Sequence, residues 1–290
     1  MSADGFATKP PPGAGADWTI DQTWAHYTPA DHQVWMTLYE RQSALLTDRA
    51  CDPFLRGLEA LDLHRAGIPD FARINAELNR LTGWSVVAVP GLVPDEVFFD
   101  HLANRRFPAG RFIRAPNELD YLEEPDIFHD VFGHVPMLTD PEFADYMAAY
   151  GRGGLRAMQR GQLHQLARLY GYTVEFGLLQ TPAGVRIYGA GIVSSRTETF
   201  FALDDTSPNR LGFDLERIMR TPYRIDDFQQ VYFVAPSLGA LLAATLRDFG
   251  PIYDRLARAG DIPIAAVEPA DRVITLGTQA YARGRVLGVQ

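Results

Sequence analysis

The sequence predicts a mostly α (α+β) fold, a single domain of many helices carrying small β-sheets. Three observations lead there. Capped segments with helical apolar spacing recur along the chain. Short runs rich in β-branched residues occur between them but do not alternate with them regularly, which argues against a doubly wound parallel sheet. Neither an internal repeat nor a long linker follows residue 17. The 290 residues suffice for a large core without a disulfide or a structural metal. Residues 1–17 are rich in Pro, Gly and Ala and read as a disordered tail, leaving 18–290 as the single domain.

Each element has a local reason. Thr28-Pro29 offers a cap followed by proline at the first helical position, and Val34, Leu38 and Leu45 mark the apolar face of the helix it starts. Helices follow at 53–64 and at 69–82, the latter opened by Pro69 and closed by Gly83. Trp84 to Val89 (WSVVAV) reads as a strand, residues 94–103 as a helix and 111–114 as extended. Further helices are expected over 125–134, 141–159, 163–179 and 236–249. VRIYGAGIVSS (185–195) reads as two extended runs broken by Gly189 and Gly191, and 229–234 and 272–276 are candidate strands.

Composition narrows the function classes. Apolar residues make up 47% and charged residues 22%, as in globular proteins. The single cysteine, Cys51, excludes an intrachain disulfide and thiolate metal clusters and fits a reducing compartment. A net charge of −9 argues against nucleic acid or an anionic membrane as partner. No apolar run of transmembrane length occurs, and the first residues lack the basic head and hydrophobic run of a signal peptide. The expectation is a cytoplasmic protein.

Chemistry concentrates in EPDIFHDVFGHVP (124–136), where His129 and His134 stand among Phe128, Val131, Phe132 and Val135. Asp126 is placed to cap the start of this segment. Five residues span about 140° on a standard helix, so the two imidazoles must reach across a turn to meet at one ion. Gly133 puts no side chain in the way. The bland alternative is two partly buried histidines bonded to backbone carbonyls. A second segment, LARLYGYTVEFGLL (166–179), holds one carboxylate, Glu175, among apolar residues. A buried carboxylate needs a cation, a metal or a proton, and a salt bridge to Arg168 would also serve. Two imidazoles and one carboxylate suit a facial triad for Fe(II) with open positions. Zinc accepts the same ligands, but zinc hydrolases of this kind carry HExxH, whereas here the spacing is one residue longer and Asp130 follows the first histidine. A 2-oxoglutarate-dependent oxygenase would need an HxD motif on a β-barrel, and neither is evident. A non-enzymatic binding module with structural histidines is the remaining alternative.

EPDIFHDVFGHVP, TVEFGLL and YGAGIVSS resemble, in order and with similar gaps, the catalytic domain of the pterin-dependent aromatic amino acid hydroxylases. The resemblance extends more loosely from Trp18 to Gly250 and is nearest to the short bacterial members that act on phenylalanine. It implies hydroxylation of L-phenylalanine to L-tyrosine, with related hydroxylation of tryptophan or a broader aromatic range as the alternative. The implied cofactors are Fe(II) and tetrahydrobiopterin or a related tetrahydropterin, with O2 as the other small-molecule substrate. His129, His134 and Glu175 are the implied iron ligands. Gly91, Val93, Phe98 and Asp130 fall where the family contacts the pterin. Arg114 matches the arginine that clamps the substrate carboxylate, for which a guanidinium fork is well shaped. Ser194 and Glu198 match polar supports of substrate and ligands, Tyr170 a tyrosine near the iron, and Val234 the apolar residue that favours phenylalanine. Without a long heptad helix after Gly250, a monomer without a regulatory domain is expected. One departure stands out: Gly171 occupies a position where phenylalanine hydroxylases usually carry tryptophan, which bears on the shape of the substrate pocket.

Overall fold

Thr28 and Pro29 start the first helix as their chemistry requires. In the computed structural model, which describes residues 9–63, 67–120 and 124–286, helix α1 spans Pro29–Leu46. Thr28 Oγ1 accepts from the Asp31 amide at 3.2 Å and Asp31 accepts from the Thr28 amide at 2.8 Å, so a capping box satisfies two donors of the open first turn. Helices α2 (Asp52–Ala60) and α3 (Phe71–Thr82) follow. The last residue of the helix expected over 53–64 lies outside the described residues. α3 starts on the Asp70 cap and stops at Gly83, whose φ of 73° is the left-handed conformation that glycine adopts without steric cost.

Strand β1 (Ser85–Val89), helix α4 (Asp95–Ala103) and strand β2 (Arg106–Gly110) come next. β1 and β2 pair in parallel, Ser85 with Arg106 through Val89 with Gly110. The extended stretch expected at 111–114 therefore lies just beyond the true strand. RFPAG contains a proline and a glycine, which depress strand propensity and are tolerated at an edge. Helix α5 (Pro141–Gln159) has the expected bounds, with Asp140 as its cap. α4 lies so close to α5 that a Cβ on Gly154 would stand 2.0 Å from the Phe99 ring.

Three expected elements are corrected. Residues of the helix expected over 125–134 form a π-helical turn, Phe128–His134, followed by a 3-10 turn, Val135–Thr139. The helix expected over 163–179 divides into helix α6 (Leu163–Tyr170), a second π turn (Gly171–Glu175) and strand β3 (Leu178–Thr181). Of the two extended runs expected over 185–195, only strand β4 (Gly184–Ile187) exists, and the second is the short helix α7 (Ala190–Val193). The chain continues through helix α8 (Arg196–Leu203), strand β5 (Asn209–Gly212), helix α9 (Leu215–Met219) and strand β6 (Val231–Ala235). Helix α10 (Leu238–Thr245) lies within the helix expected over 236–249, helix α11 (Gly250–Leu256) follows it, and strand β7 (Val273–Thr275) and helix α12 (Ala280–Val286) end the described chain.

The larger sheet has the order β4-β3-β6-β5-β7, with β6 parallel to both neighbours and the outer pairs antiparallel. The core runs from Trp35 and Phe54 through Phe128 and Phe132 to Val231–Ala235. Phe128 and Phe132 stack at 4.6 Å, and burying each such ring contributes about 1.5–3 kcal/mol. They anchor the first π turn by one face and leave its histidines on the other. Residues 1–8 of the expected tail lie outside the described residues, while Asp17 is tied to Arg106 at 2.9 Å. Among the described residues no helix is long and apolar enough to cross a membrane.

Candidate metal centre

Two π turns carry the three sequence-predicted ligands. A π turn bonds residue i to i+5, so positions five apart stand nearly above one another. His129 and His134 are five apart in such a turn, and their Nε2 atoms lie 3.3 Å from each other. The second π turn ends at Glu175. Its Oε1 is 3.3 Å from His134 Nε2 and its Oε2 is 3.6 Å from His129 Nε2. One ligand atom from each residue falls within a span of 4.8 Å, and a single ion with bonds of about 2.1 Å can touch all three. Among the described residues this is the one group of three such side chains so arranged. The wider π turn displaces the carbonyl of Leu169, and Thr173 Oγ1 donates to it while accepting from the Tyr146 hydroxyl at 2.6 Å.

The surroundings fix the protonation that a metal needs. Ser194 Oγ donates its one proton to the Ala190 carbonyl at 2.7 Å, so at 2.9 Å from His129 Nδ1 it acts as acceptor. Nδ1 therefore carries the proton and Nε2 presents a bare lone pair toward the other ligands. Burial pushes the His129 pKa down to about 4, against the pull of Glu175, so the ring is neutral near pH 7. Burial of Glu175 opposes its ionisation, yet His134, His129 and the Gly191 amide hold its pKa below the ordinary value. His129 and Glu175 thus offer a neutral nitrogen and an anionic oxygen. Gly189 and Gly191 make this packing possible: a Cβ at 189 would lie 2.4 Å from the Glu175 carbonyl oxygen, and one at 191 would lie 3.3 Å from Glu175 Oε2.

Arg114 and Asp126 form a buried pair beside the triad. Asp126 is fully buried and Arg114 is 8% exposed. Arg114 donates from Nε at 2.8 Å and from Nη2 at 2.9 Å, and its amide also bonds Asp126. Asp126 further accepts from the His129 amide at 3.0 Å. The expected capping role is thus present, and the sequence reading missed that the same carboxylate orients the guanidinium. The signal was a lone arginine and a lone aspartate flanking one apolar segment. Asp130 accepts from the Gly110 amide at 2.7 Å, joining the first π turn to the end of β2. Burial pushes its pKa up to about 7.

An aromatic chain leads from the triad to α4. The Tyr170 ring lies 6.3 Å from that of His134 and 5.7 Å, edge-on, from Phe98. Gly91 and Val93 occupy the loop between β1 and α4, and the Gly91 α-carbon faces Glu124. Val89, just before that loop, pairs with Gly110, so the loop stands beside the Asp130 contact. Ser194 reaches a ligand directly. Glu198 does not: it is buried and accepts from the Tyr232 hydroxyl of β6. Val234 is fully buried in β6 and pairs with Leu178, three residues after Glu175.

Comparison with known proteins agrees with this geometry. The description of the biopterin-dependent aromatic amino acid hydroxylases matches residues 21–258. A phenylalanine-4-hydroxylase of Caulobacter vibrioides is 73% identical over 290 residues, 99% of each chain. The cobalt-bound crystal structure of phenylalanine hydroxylase from Chromobacterium violaceum superimposes with a TM-score of 0.88 at 56% identity, covering 90% of this chain and 95% of that one. The structure of the same enzyme with bound oxidised Fe(III) gives 0.86 at 56% identity, with 89% and 94% covered.

Proposed function

This chain belongs to the biopterin-dependent aromatic amino acid hydroxylases, and we infer that it is a phenylalanine 4-monooxygenase, converting L-phenylalanine to L-tyrosine with O2 and a tetrahydropterin at non-haem iron. The observation that carries the site assignment is the convergence of His129, His134 and Glu175 from two π turns, with His129 Nε2 left bare because Nδ1 donates to Ser194. These three hold Fe(II) on one face, leaving the opposite positions open. Bound Fe(II) with a tetrahydropterin as reductant supplies the activation of O2 that places one oxygen atom on the para carbon of the ring.

The protein's own work is binding and orientation. Arg114, its fork oriented by Asp126, receives the carboxylate of the amino acid. Phe98 offers its ring to the pterin, while the backbone at Gly91 and Val93 and the carboxyl of Asp130 line the pterin's edge. Tyr170 closes the space between pterin and iron. Val234 keeps the end of the substrate pocket apolar, and Ser194 and Glu198 stiffen its wall. The net charge of −9 argues against nucleic acid or an anionic membrane as partner, and the single, buried Cys51 fits a reducing compartment such as the cytoplasm.

The test is turnover of protein loaded anaerobically with Fe(II), then given tetrahydropterin, O2 and ring-labelled phenylalanine together with tyrosine and tryptophan. Labelled tyrosine as the main product is expected. Iron-loaded protein that oxidises pterin and hydroxylates none of the three amino acids would remove the substrate assignment.

A further inference from the structure

Gly171 opens the π turn that ends at Glu175, and its missing side chain has a specific substitute. A Cβ at 171 would stand 3.0 Å from Cγ and Cδ2 and 3.1 Å from Cδ1 of Tyr223. Three atoms of one ring converge on one point, so the Tyr223 ring covers Gly171 and fills the volume that a side chain there would take. Two contacts hold it. The Tyr172 hydroxyl donates to the Pro222 carbonyl at 2.6 Å, strapping the residue before Tyr223 onto the π turn. The Tyr172 ring meets that of Tyr223 edge-on at 6.2 Å. Behind it, Gln229 closes the loop by bonding the Arg224 amide and carbonyl.

Gly171 follows Tyr170, whose ring lies 6.3 Å from that of His134 and 5.7 Å from that of Phe98, so the residue next to that aromatic chain is the one covered by Tyr223. The ring is only partly buried. Burial raises the pKa of Tyr223, Glu175 and Asp95 raise it further and Arg168 opposes them. The ring covers the start of the π turn that runs from Gly171 to Glu175.

Resting on the site assignment above, we propose that Tyr223 is the aromatic wall of the substrate pocket in this chain and selects which aromatic side chain enters it, a role open to it because residue 171 is glycine. A wall carried on the 222–229 loop is separate from the backbone that carries Glu175. Removing it opens space beside Gly171 without touching a ligand. Differences of one methylene in such pockets change selectivity by about 10–200-fold, and a whole ring exceeds that volume change.

The experiment compares wild type, Tyr223→Ala, Tyr223→Phe and the double variant Gly171→Trp/Tyr223→Ala. Four quantities are read: bound iron, Tm, the ratio of kcat/KM for tryptophan to that for phenylalanine, and the calorimetric affinity of the Fe(II) form for phenylalanine. Tyr223→Ala is expected to keep its iron, bind phenylalanine more weakly and raise the tryptophan-to-phenylalanine ratio at least about tenfold. Tyr223→Phe keeps the wild-type ratio, since the ring is the wall. The double variant, with an aromatic ring returned from position 171, moves the ratio back toward wild type. An iron-replete Tyr223→Ala whose ratio and phenylalanine affinity stay within about twofold of wild type overturns the proposal. If Tyr223→Ala does not fold, Tyr223→Leu carries the same criterion. Wild type that hydroxylates no aromatic amino acid overturns the site reading itself, which separates the two failures.

Discussion

Replacing Asp126 by asparagine removes the charge that holds both the buried Arg114 guanidinium and the first π turn. Asp126 is fully buried and accepts four hydrogen bonds, from the Arg114 amide, Nε and Nη2 and from the His129 amide, at 2.8–3.0 Å. Asparagine keeps the volume but offers one acceptor oxygen and an NH2 that faces other donors. The Arg114 guanidinium then remains buried without a counter-charge, a change that costs about 3–5 kcal/mol. The pH dependence has a definite sign. Burial opposes ionisation of Asp126, but the hydrogen bonds and charge of Arg114 and the two amides leave its pKa below the ordinary 3.8. The folded state thus holds this proton less readily than the unfolded chain. The stabilisation is full above the unfolded value near 4 and is lost as pH falls through the folded one. Urea unfolding of wild type and Asp126→Asn across pH 7 to pH 2 measures it. A gap of a few kcal/mol at neutral pH that narrows only in acid is expected. A gap below about 1 kcal/mol at pH 7, within the range of exposed ion pairs, or one that widens on acidification, would refute the reasoning.

Three further outcomes follow from the same geometry. Ser194→Ala removes the acceptor that fixes the His129 tautomer, and Fe(II) affinity by competition with a chelator should fall about 10–100-fold; unchanged affinity contradicts the assignment. Glu198→Gln tests a buried carboxyl whose pKa burial pushes up from 4.5 to about 7 despite the Tyr232 bond. The folded state keeps that proton, so wild-type stability falls as pH rises through this window, by up to about 3 kcal/mol, whereas glutamine stays neutral. The variant's Tm should match wild type near pH 4 and exceed it at pH 8, and parallel profiles would contradict this. Gly154→Ala puts a methyl 2.0 Å from the Phe99 ring and should cost about 1–3 kcal/mol. If Phe98 stacks on the pterin as proposed, the shift of α4 should also raise the KM for the pterin, and a variant with unchanged Tm would show that α4 and α5 are not held this tightly.

The parts of the fold that rest on local chemistry were legible. Thr28-Pro29, Asp140-Pro141 and Gly83 mark real helix ends because caps and punctuation act on their immediate neighbours. What escaped was longer in range. The five-residue spacing of His129 and His134 looks poor on an α-helix and is natural on a π turn, a form stabilised here by packing of Phe128 and Phe132 and not by propensity. Glu175 was read within a long helix because nothing local reports the π turn at Gly171. Gly189 and Gly191 read as breaks in extended chain, although their role is to let α7 touch Glu175. The mostly helical class was nonetheless evident from residue pattern, and the three candidate ligands from residue types taken together with the family resemblance. The Arg114–Asp126 pair, the Ser194 acceptor and the Tyr223 ring over Gly171 join residues 12 or more positions apart, which periodicity does not report.

The most direct measurement is an anaerobic Fe(II) titration of wild type and of the single alanine variants at His129, His134 and Glu175, each checked for folding. One Fe(II) per wild-type chain, with affinity lowered at least about 100-fold in every variant, well beyond the loss of a supporting residue alone, is the predicted result. A folded variant that binds Fe(II) as tightly as wild type would contradict the assignment of the two π turns as the iron site.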